Sequence, residues 1–290
     1  MKGIVLAGGS GTRMYPLTLA TTKQLLAVYD KPMVYYPMSV LMLAGIRDIL
    51  VISTPDGVPA LRALFGDGSH LGLNVTYATQ SAPRGIAEAY LIGADHVGTD
   101  DSALILGDNV FHGARFPTLL QETQAKIDGC TLFGYPVSDP GRYGIAEIDA
   151  SGELISIEEK PLRPRSDNAI TGLYLYSPDV VDIVRDLKPS ARGELEITDV
   201  NQVYLAQGRA RLIELGRGFS WIDAGTPESL LAASQYVQVL EHRQGVRVAC
   251  LEEVALRMGF IDSEACYELG LKMKSSEYGR YVMDIARSLA

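Results

Sequence analysis

The sequence predicts an α/β fold, a three-layer, mainly parallel, Rossmann-like sheet, and three observations predict it. Residues 4–7, 48–53 and 103–106 are short, nearly unbroken apolar runs, the pattern of strands covered on both faces. Stretches of helical character lie between and around them at 33–44, 57–65 and 85–97. The links are short, so strand and helix alternate, and such alternation folds as a parallel sheet between two helical layers.

Each element follows from its local sequence. Ile4-Val5-Leu6-Ala7 ends at Gly8-Gly9-Ser10-Gly11, a turn with three glycines in four positions. Residues 33–44 are apolar and stop at Gly45, and Pro37 near their start is compatible with a helix. A strand at 48–53 follows, then a helix at 57–65 closed by Gly66-Asp67-Gly68 and an alternating strand at 74–78. A helix at 85–97 and a strand at 103–106 complete the first half. The second half changes character: 144–148 and 154–158 flank Ala150-Ser151-Gly152 as a hairpin, and 168–176 is a further strand. Residues 178–187 and 197–207 read as amphipathic helices, 211–214 and 220–222 as short strands. From Pro227 the pattern is helical, with Gly259, Gly270 and Gly279 marking breaks. The expected organisation is one large domain over 1–226 and a helical subdomain over 227–290, with no hard boundary.

The 290 residues can bury a substantial core, and 47% hydrophobic with 21% charged residues is ordinary for a globular chain. A net charge of −9 repels polyanions, which disfavours nucleic acid as a partner but leaves room for a small nucleotide held by local cations. Cys130, Cys250 and Cys266 are odd in number and form no C-x-x-C, so neither a disulfide framework nor a zinc ribbon is indicated. No run of 18 apolar residues and no signal-like segment precedes the first strand, so the expectation is a cytoplasmic protein without a membrane partner.

The glycine turn organises the chemistry. With no Cβ at three of its four positions, the turn Gly8-Gly9-Ser10-Gly11 lets backbone N–H groups close on an anion, Arg13 and Lys23 bring cations nearby, and Thr12 directly follows the turn. A plain strand-to-helix turn is the alternative reading of the glycines alone. A dinucleotide fingerprint fails at Met14, where a third glycine is needed, and at Ser53-Thr54, where an acidic residue is needed. A P-loop fails for want of Gly-Lys-Ser/Thr. Asp108 directly follows a buried strand, where a carboxylate can hold Mg2+ or cap a following helix. Asp223 also closes an apolar run, and the two carboxylates meet only if both strands end on one rim. Lys160, before Pro161, is restricted to extended backbone and is either a solvated lysine or a phosphate contact. His70, His96, His112 and His242 show no ligand spacing.

The segments L-A-G-G-S-G-T-R, P-L-T, K-Q-L-L, S-T-P-D, Q-S-A-P-R-G-I-A-E-A, L-I-L-G-D-N-V-F-H-G, R-Y-G-I-A-E, E-E-K-P, T-G-L-Y, R-G-E-L-E-I-T-D-V-N and W-I-D-A-G-T together resemble the sugar-phosphate nucleotidyltransferases, and within them the thymidylyl-transferring branch. The resemblance covers nearly the whole chain in order.

It implies a nucleotide-binding part over about 1–110, a β-rich sugar-phosphate-binding part over about 111–226, and catalysis by Mg2+-dependent single displacement at the α-phosphorus. The implied substrates are dTTP and α-D-glucose 1-phosphate, with a UTP-using enzyme as the near alternative. By resemblance Asp108 and Asp223 hold the magnesium, and Arg13, Lys23, Lys160 and Asp108 are catalytic. Gln24, Gln80, Pro83, Gly85 and Asn109 join the glycine turn in binding the nucleotide, Gln80 offering an amide to a pyrimidine edge. Tyr143, Gly144, Glu159, Lys160, Ile170 and Gly172 bind the sugar. A homotetramer is implied as well. Ala224, Pro227 and Gly141 depart from the family pattern and bear on sugar preference. A non-catalytic nucleotide-sugar sensor would have lost one of Arg13, Lys23, Asp108, Lys160 or Asp223, and all five are present.

Overall fold

The computed structural model describes residues 1–9, 11–125 and 127–289. The chain opens with β1 (Lys2–Ala7), β2 (Ala27–Val28), β3 (Lys31–Pro32), α1 (Tyr35–Leu43), β4 (Asp48–Ser53), α2 (Gly57–Phe65) and β5 (Asn74–Thr79). It continues with α3 (Glu88–Ile92), α4 (Ala94–Val97), β6 (Ser102–Leu106), β7 (Asn109–Gly113), α5 (Phe116–Gln124) and β8 (Cys130–Pro136). Then follow β9 (Gly144–Ile148), β10 (Leu154–Glu159), β11 (Asn168–Tyr176), α6 (Val180–Asp186), α7 (Ile197–Ala206), β12 (Ala210–Glu214) and β13 (Phe219–Asp223). Four helices end it: α8 (Pro227–Gln244), α9 (Leu251–Arg257), α10 (Ser263–Lys272) and α11 (Glu277–Ser288).

One nine-stranded sheet runs β10-β9-β11-β6-β1-β4-β5, with β8 joined to β11 and β12 to β8. β1 lies centrally, parallel to β4 and to β6, and β4 is parallel to β5. β11 is antiparallel to β6, so the second half extends the same sheet. The apolar runs are buried on both faces as their composition predicts. Val5, Ala7, Val51 and Ile105 face one core layer with α1, α2, α5 and α9, whereas Ile4, Leu6, Ile52 and Leu104 face the other with α3, α6 and α7. Each fully buried aliphatic contributes about 1.5–3 kcal/mol, and this two-sided burial sets the register of the central strands.

Several expectations are corrected. The helix expected at 85–97 starts only at Glu88 and divides at Gly93, because Gly85 has φ +102° and packs against the Leu195 backbone, a position no helix can use. Gly270 and Gly279 lie inside α10 and α11 instead of breaking them. They permit close crossing: a Cβ at Gly279 would stand 2.1 Å from the Met273 carbonyl oxygen, and one at Gly270 2.8 Å from Met283 Cγ. Gly259, at φ +68°, does mark a break. No helix follows Asp108, so the capping alternative does not apply; β7 begins there and pairs antiparallel with β13 in a separate ribbon. α5 and β8, between this ribbon and the hairpin, had no strong sequence signal.

The C-terminal helices lie against the first half of the chain. Glu241 of α8 accepts from Lys31 Nζ at 3.0 Å and from Arg247 Nη1 at 3.0 Å, a buried network tying the β2–β3 hairpin to α8. Thr226 caps α8 reciprocally with Ser229, with Pro227 in the first turn, so this departure from the family pattern starts a helix.

Candidate active site

Parallel strands deliver their following loops to one rim, and here β1, β5 and β6 deliver the Gly8 turn, Gln80 and Asp108 to one cavity. The N-terminal half of β11 reaches the same rim because it runs antiparallel, and the hairpin ends Gly144 and Glu159 face each other beside it. The cavity holds about 730 Å³ and is lined by Gly8, Gly9, Arg13, Lys23, Gln24, Gln80, Pro83, Gly85, Asp108, Asn109, Tyr143, Gly144, Glu159, Lys160, Ile170, Gly172 and Asp223, among others. Gly11 and Thr12 lie in the adjoining turn, where Gly11 has φ +61° and precedes a short 3-10 turn that carries Arg13. Ser10 lies outside the described residues.

The β7–β13 ribbon brings the two aspartates together. Asp223 stands opposite Asn109, and the N–H of Ala224 donates to the Asp108 carbonyl at 2.9 Å. Lys23 is ion-paired with the Asp108 carboxylate, and Arg13 Nη2 lies within 3.3 Å of the Cβ position at Gly225. Burial pushes the Asp223 carboxyl up to about 6, the Asp108 charge adds to that push, and Lys23 and Arg13 oppose it. Burial would also raise Asp108, but the Lys23 ammonium beside it outweighs that and holds it below the usual carboxylate range.

Asn109 fixes this centre. Its Oδ1 accepts from Trp221 Nε1 at 2.6 Å and from the Gly172 N–H at 3.1 Å, while its Nδ2 donates to Asp108 Oδ1 at 2.9 Å. The Asn109 amide is thereby engaged within the protein and orients a carboxylate. Gly172 is required by this approach, since a Cβ there would stand 2.6 Å from Asn109 Oδ1.

At the hairpin end, Lys160 Nζ lies 3.0 Å from Glu159 Oε1, and Thr198 Oγ1 donates to Glu159 Oε2 at 2.5 Å. Lys160 has φ +44° instead of the extended backbone expected before Pro161, and its N–H is held by the Tyr143 carbonyl at 3.0 Å. Gln80 donates from Nε2 to the Gly85 carbonyl at 3.1 Å and to Glu88 Oε2 at 2.9 Å, so its donor face is used inside the protein.

Sequence reasoning missed several lining residues, Arg142, Arg192, Thr198 and Trp221 among them. Arg142, on a short 3-10 turn, adds positive charge near Asp223, and Arg192 holds Glu196 with contacts of 2.8 and 2.9 Å. Thr198 and Trp221 line the same cavity. Their signals were present in R-Y-G, R-G-E-L-E-I-T-D and W-I-D, but isolated arginines, threonines and aromatics do not announce a site.

A half-buried carboxylate pair with cations beside it, next to a glycine turn and a second polar subsite, suits the handling of phosphate esters. Residues 2–239 match the nucleotidyl transferase family, and the chain belongs to it. It is 53% identical over 285 residues to the glucose-1-phosphate thymidylyltransferase of Mycobacterium tuberculosis, covering 98% of this chain and 99% of that one. It is 50% identical to the enzyme of the same name from Neisseria meningitidis, covering 99% and 100%. Among solved structures it is similar to a Bacillus anthracis protein provisionally assigned as a glucose-1-phosphate thymidylyltransferase, in complex with sucrose. That similarity has a TM-score of 0.76 at 41% identity and covers 81% of this chain and 94% of that one. A UDP-glucose pyrophosphorylase complexed with UDP-glucose shares the fold, with a TM-score of 0.71 at 24% identity over 82% and 98% of the two chains. Among the described residues, no helix is long and apolar enough to cross a membrane.

Proposed function

We propose that the chain forms dTDP-glucose and pyrophosphate from dTTP and α-D-glucose 1-phosphate. The observation that carries this reading is the meeting of Asp108 and Asp223 beside Lys23 and Arg13, in one cavity with the Gly8 turn, Glu159 and Lys160. About 50% identity over almost the full length to relatives named for this reaction supports it.

Among the described residues no cluster of three or more His, Cys, Asp or Glu could hold a metal. Two carboxylates suit Mg2+, which takes one or two of them together with substrate phosphates, so Asp108 and Asp223 fit as its holders. When bound there, the ion would neutralise charge on the triphosphate. The Gly8–Gly11 turn and Arg13 hold the β and γ phosphates. Lys23 neutralises the reacting phosphate, and Lys160 aims a phosphate oxygen of the sugar phosphate at the α-phosphorus. A new P–O bond forms there as the bond to the β-phosphate's bridging oxygen breaks, and pyrophosphate leaves with that electron pair. No general base is needed, because the attacking phosphate is already ionised, and charged hydrogen bonds of about 1.5–3 kcal/mol each offset anion repulsion. Glu159, Tyr143, Gly144, Ile170 and Gly172 hold the sugar, while Gln80, Pro83 and Gly85 hold the base.

In this reading residues 1–110 serve the nucleotide, 111–226 the sugar phosphate and 227–290 form a helical subdomain. A cytoplasmic homotetramer is the proposed setting: three free buried cysteines fit a reducing compartment, and exposed Leu231 and Val239 on α8 offer apolar surface to another copy. The test is pyrophosphate release with Mg2+ and glucose 1-phosphate, comparing dTTP with UTP. Faster turnover with UTP would move the enzyme to the uridylyl class, and binding without release would make it a sensor.

A further inference from the structure

We propose that Glu88 is a positioning residue that fixes the Gln80 amide with its oxygen toward the nucleotide cavity, so that the site selects a base carrying an imino N–H, as thymine does, over cytosine. The inference rests on the reading of the Gln80 segment as base-binding. It adds the residue that sets the amide's direction and the class of base that direction admits.

Gln80 follows β5 and is 6% exposed. Its Nε2 meets the Gly85 carbonyl at 3.1 Å and Glu88 Oε2 at 2.9 Å. A main-chain carbonyl and a carboxylate only accept, so the reversed amide would set an oxygen against two oxygens. Oε1 is thereby turned to Gly8, where an added Cβ would lie 2.6 Å from it, and Gly8 lines the cavity. Both Nε2 hydrogens have partners in the protein, so Gln80 meets a ligand as an acceptor. The N3–H of thymine or uracil donates to such an atom. Cytosine N3 is itself an acceptor and would leave Gln80 Oε1 buried against another lone pair.

The two locks differ in kind. The Gly85 carbonyl is set by the main chain, since Leu195 N–H donates to the Arg84 carbonyl at 2.7 Å and Ala87 N–H to the Leu195 carbonyl at 3.2 Å. Glu88, the first residue of α3, supplies the lock that a side-chain change can remove, with Arg84 Nη1 3.4 Å from its other oxygen.

The experiment measures kcat/KM for dTTP and for dCTP with Mg2+ and glucose 1-phosphate in the full chain. Glu88→Met keeps the volume and removes the acceptor, and it should lower the dTTP-to-dCTP ratio by about tenfold. Glu88→Gln, whose amide oxygen can still accept, should hold the ratio within about threefold of wild type. Wild type should turn over dTTP methylated at N3 at least about 100-fold less well than dTTP, a readout that needs no variant to fold. A Glu88→Met enzyme with an unchanged ratio overturns the role of Glu88. Undiminished use of the N3-methyl nucleotide overturns the acceptor role of Gln80. Either result leaves thymidylyl transfer standing if wild type turns over dTTP, whereas no turnover by wild type removes that reading instead.

Discussion

The main-chain N–H of Ala224 donates to the carbonyl of Asp108 at 2.9 Å, and this bond sets Asp223 beside Asp108 although 115 positions separate their residue numbers, 223 − 108. Asp223 reaches the rim on a strand that runs back along β7, outside the main sheet. Their carboxyls are shifted in opposite directions, Asp108 held below the usual range by Lys23 and Asp223 raised to about 6 by burial and by the Asp108 charge.

Asp108→Asn and Asp223→Asn should each lower kcat by about 10²–10³, the usual cost of losing one charge-stabilising group. The loss should be steepest at limiting Mg2+. Pyrophosphate release measured across a magnesium titration checks this, and a variant with wild-type magnesium dependence would remove its aspartate from the metal.

Asp223→Asn should also stabilise the magnesium-free protein at pH 8. A raised acid pKa means the folded state holds the proton more tightly than the unfolded one, so this group's contribution is fully present below about 4 and is lost as pH rises through about 6. A rise from about 4 to about 6 corresponds to roughly 2–3 kcal/mol at most, discounted by partial solvent access. Thermal melts of metal-free wild type and variant should diverge at pH 8 and converge toward pH 4. Added Mg2+ should raise the melting temperature of wild type more than that of the variant.

Arg13→Ala and Lys23→Ala should reduce kcat by about 10²–10³ with a much smaller change in KM for glucose 1-phosphate. Lys160→Ala should act oppositely, raising KM for the sugar phosphate while leaving KM for dTTP nearly unchanged. Steady-state kinetics with each substrate varied in turn separates these patterns.

Gly172→Ala should destabilise the fold by about 1–3 kcal/mol, because the new methyl meets Asn109 Oδ1 at 2.6 Å and Leu106 Cδ1 at 2.8 Å. Asn109 orients Asp108, so turnover should fall further than stability alone requires. Denaturant melts paired with kcat for the folded fraction test both effects.

Much of the fold was legible because two-sided burial writes an unbroken apolar run. Residues 4–7, 49–52 and 103–106 are such runs, and the β9–β10 hairpin declared itself through Ala150-Ser151-Gly152. Gly270 and Gly279 misled, because a glycine that breaks a helix and one that lets two helices cross look alike in one dimension. Lys160 misled for a related reason: the rule for residues before proline is a local average, and a hydrogen bond to the Tyr143 carbonyl together with the Glu159 pair holds it at φ +44°.

By itself the sequence determined the layered α/β class, the glycine turn and the residue types an anion site needs, because local backbone freedom, periodicity and charge are properties of neighbouring residues. Tertiary structure alone decided that Asp108 and Asp223 meet, that Asn109 orients one of them, and that Gln80 shows its oxygen to the cavity. Those outcomes depend on hydrogen bonds between strands and loops distant in the chain, and such bonds are set only when the whole sheet and its flanking ribbon have closed.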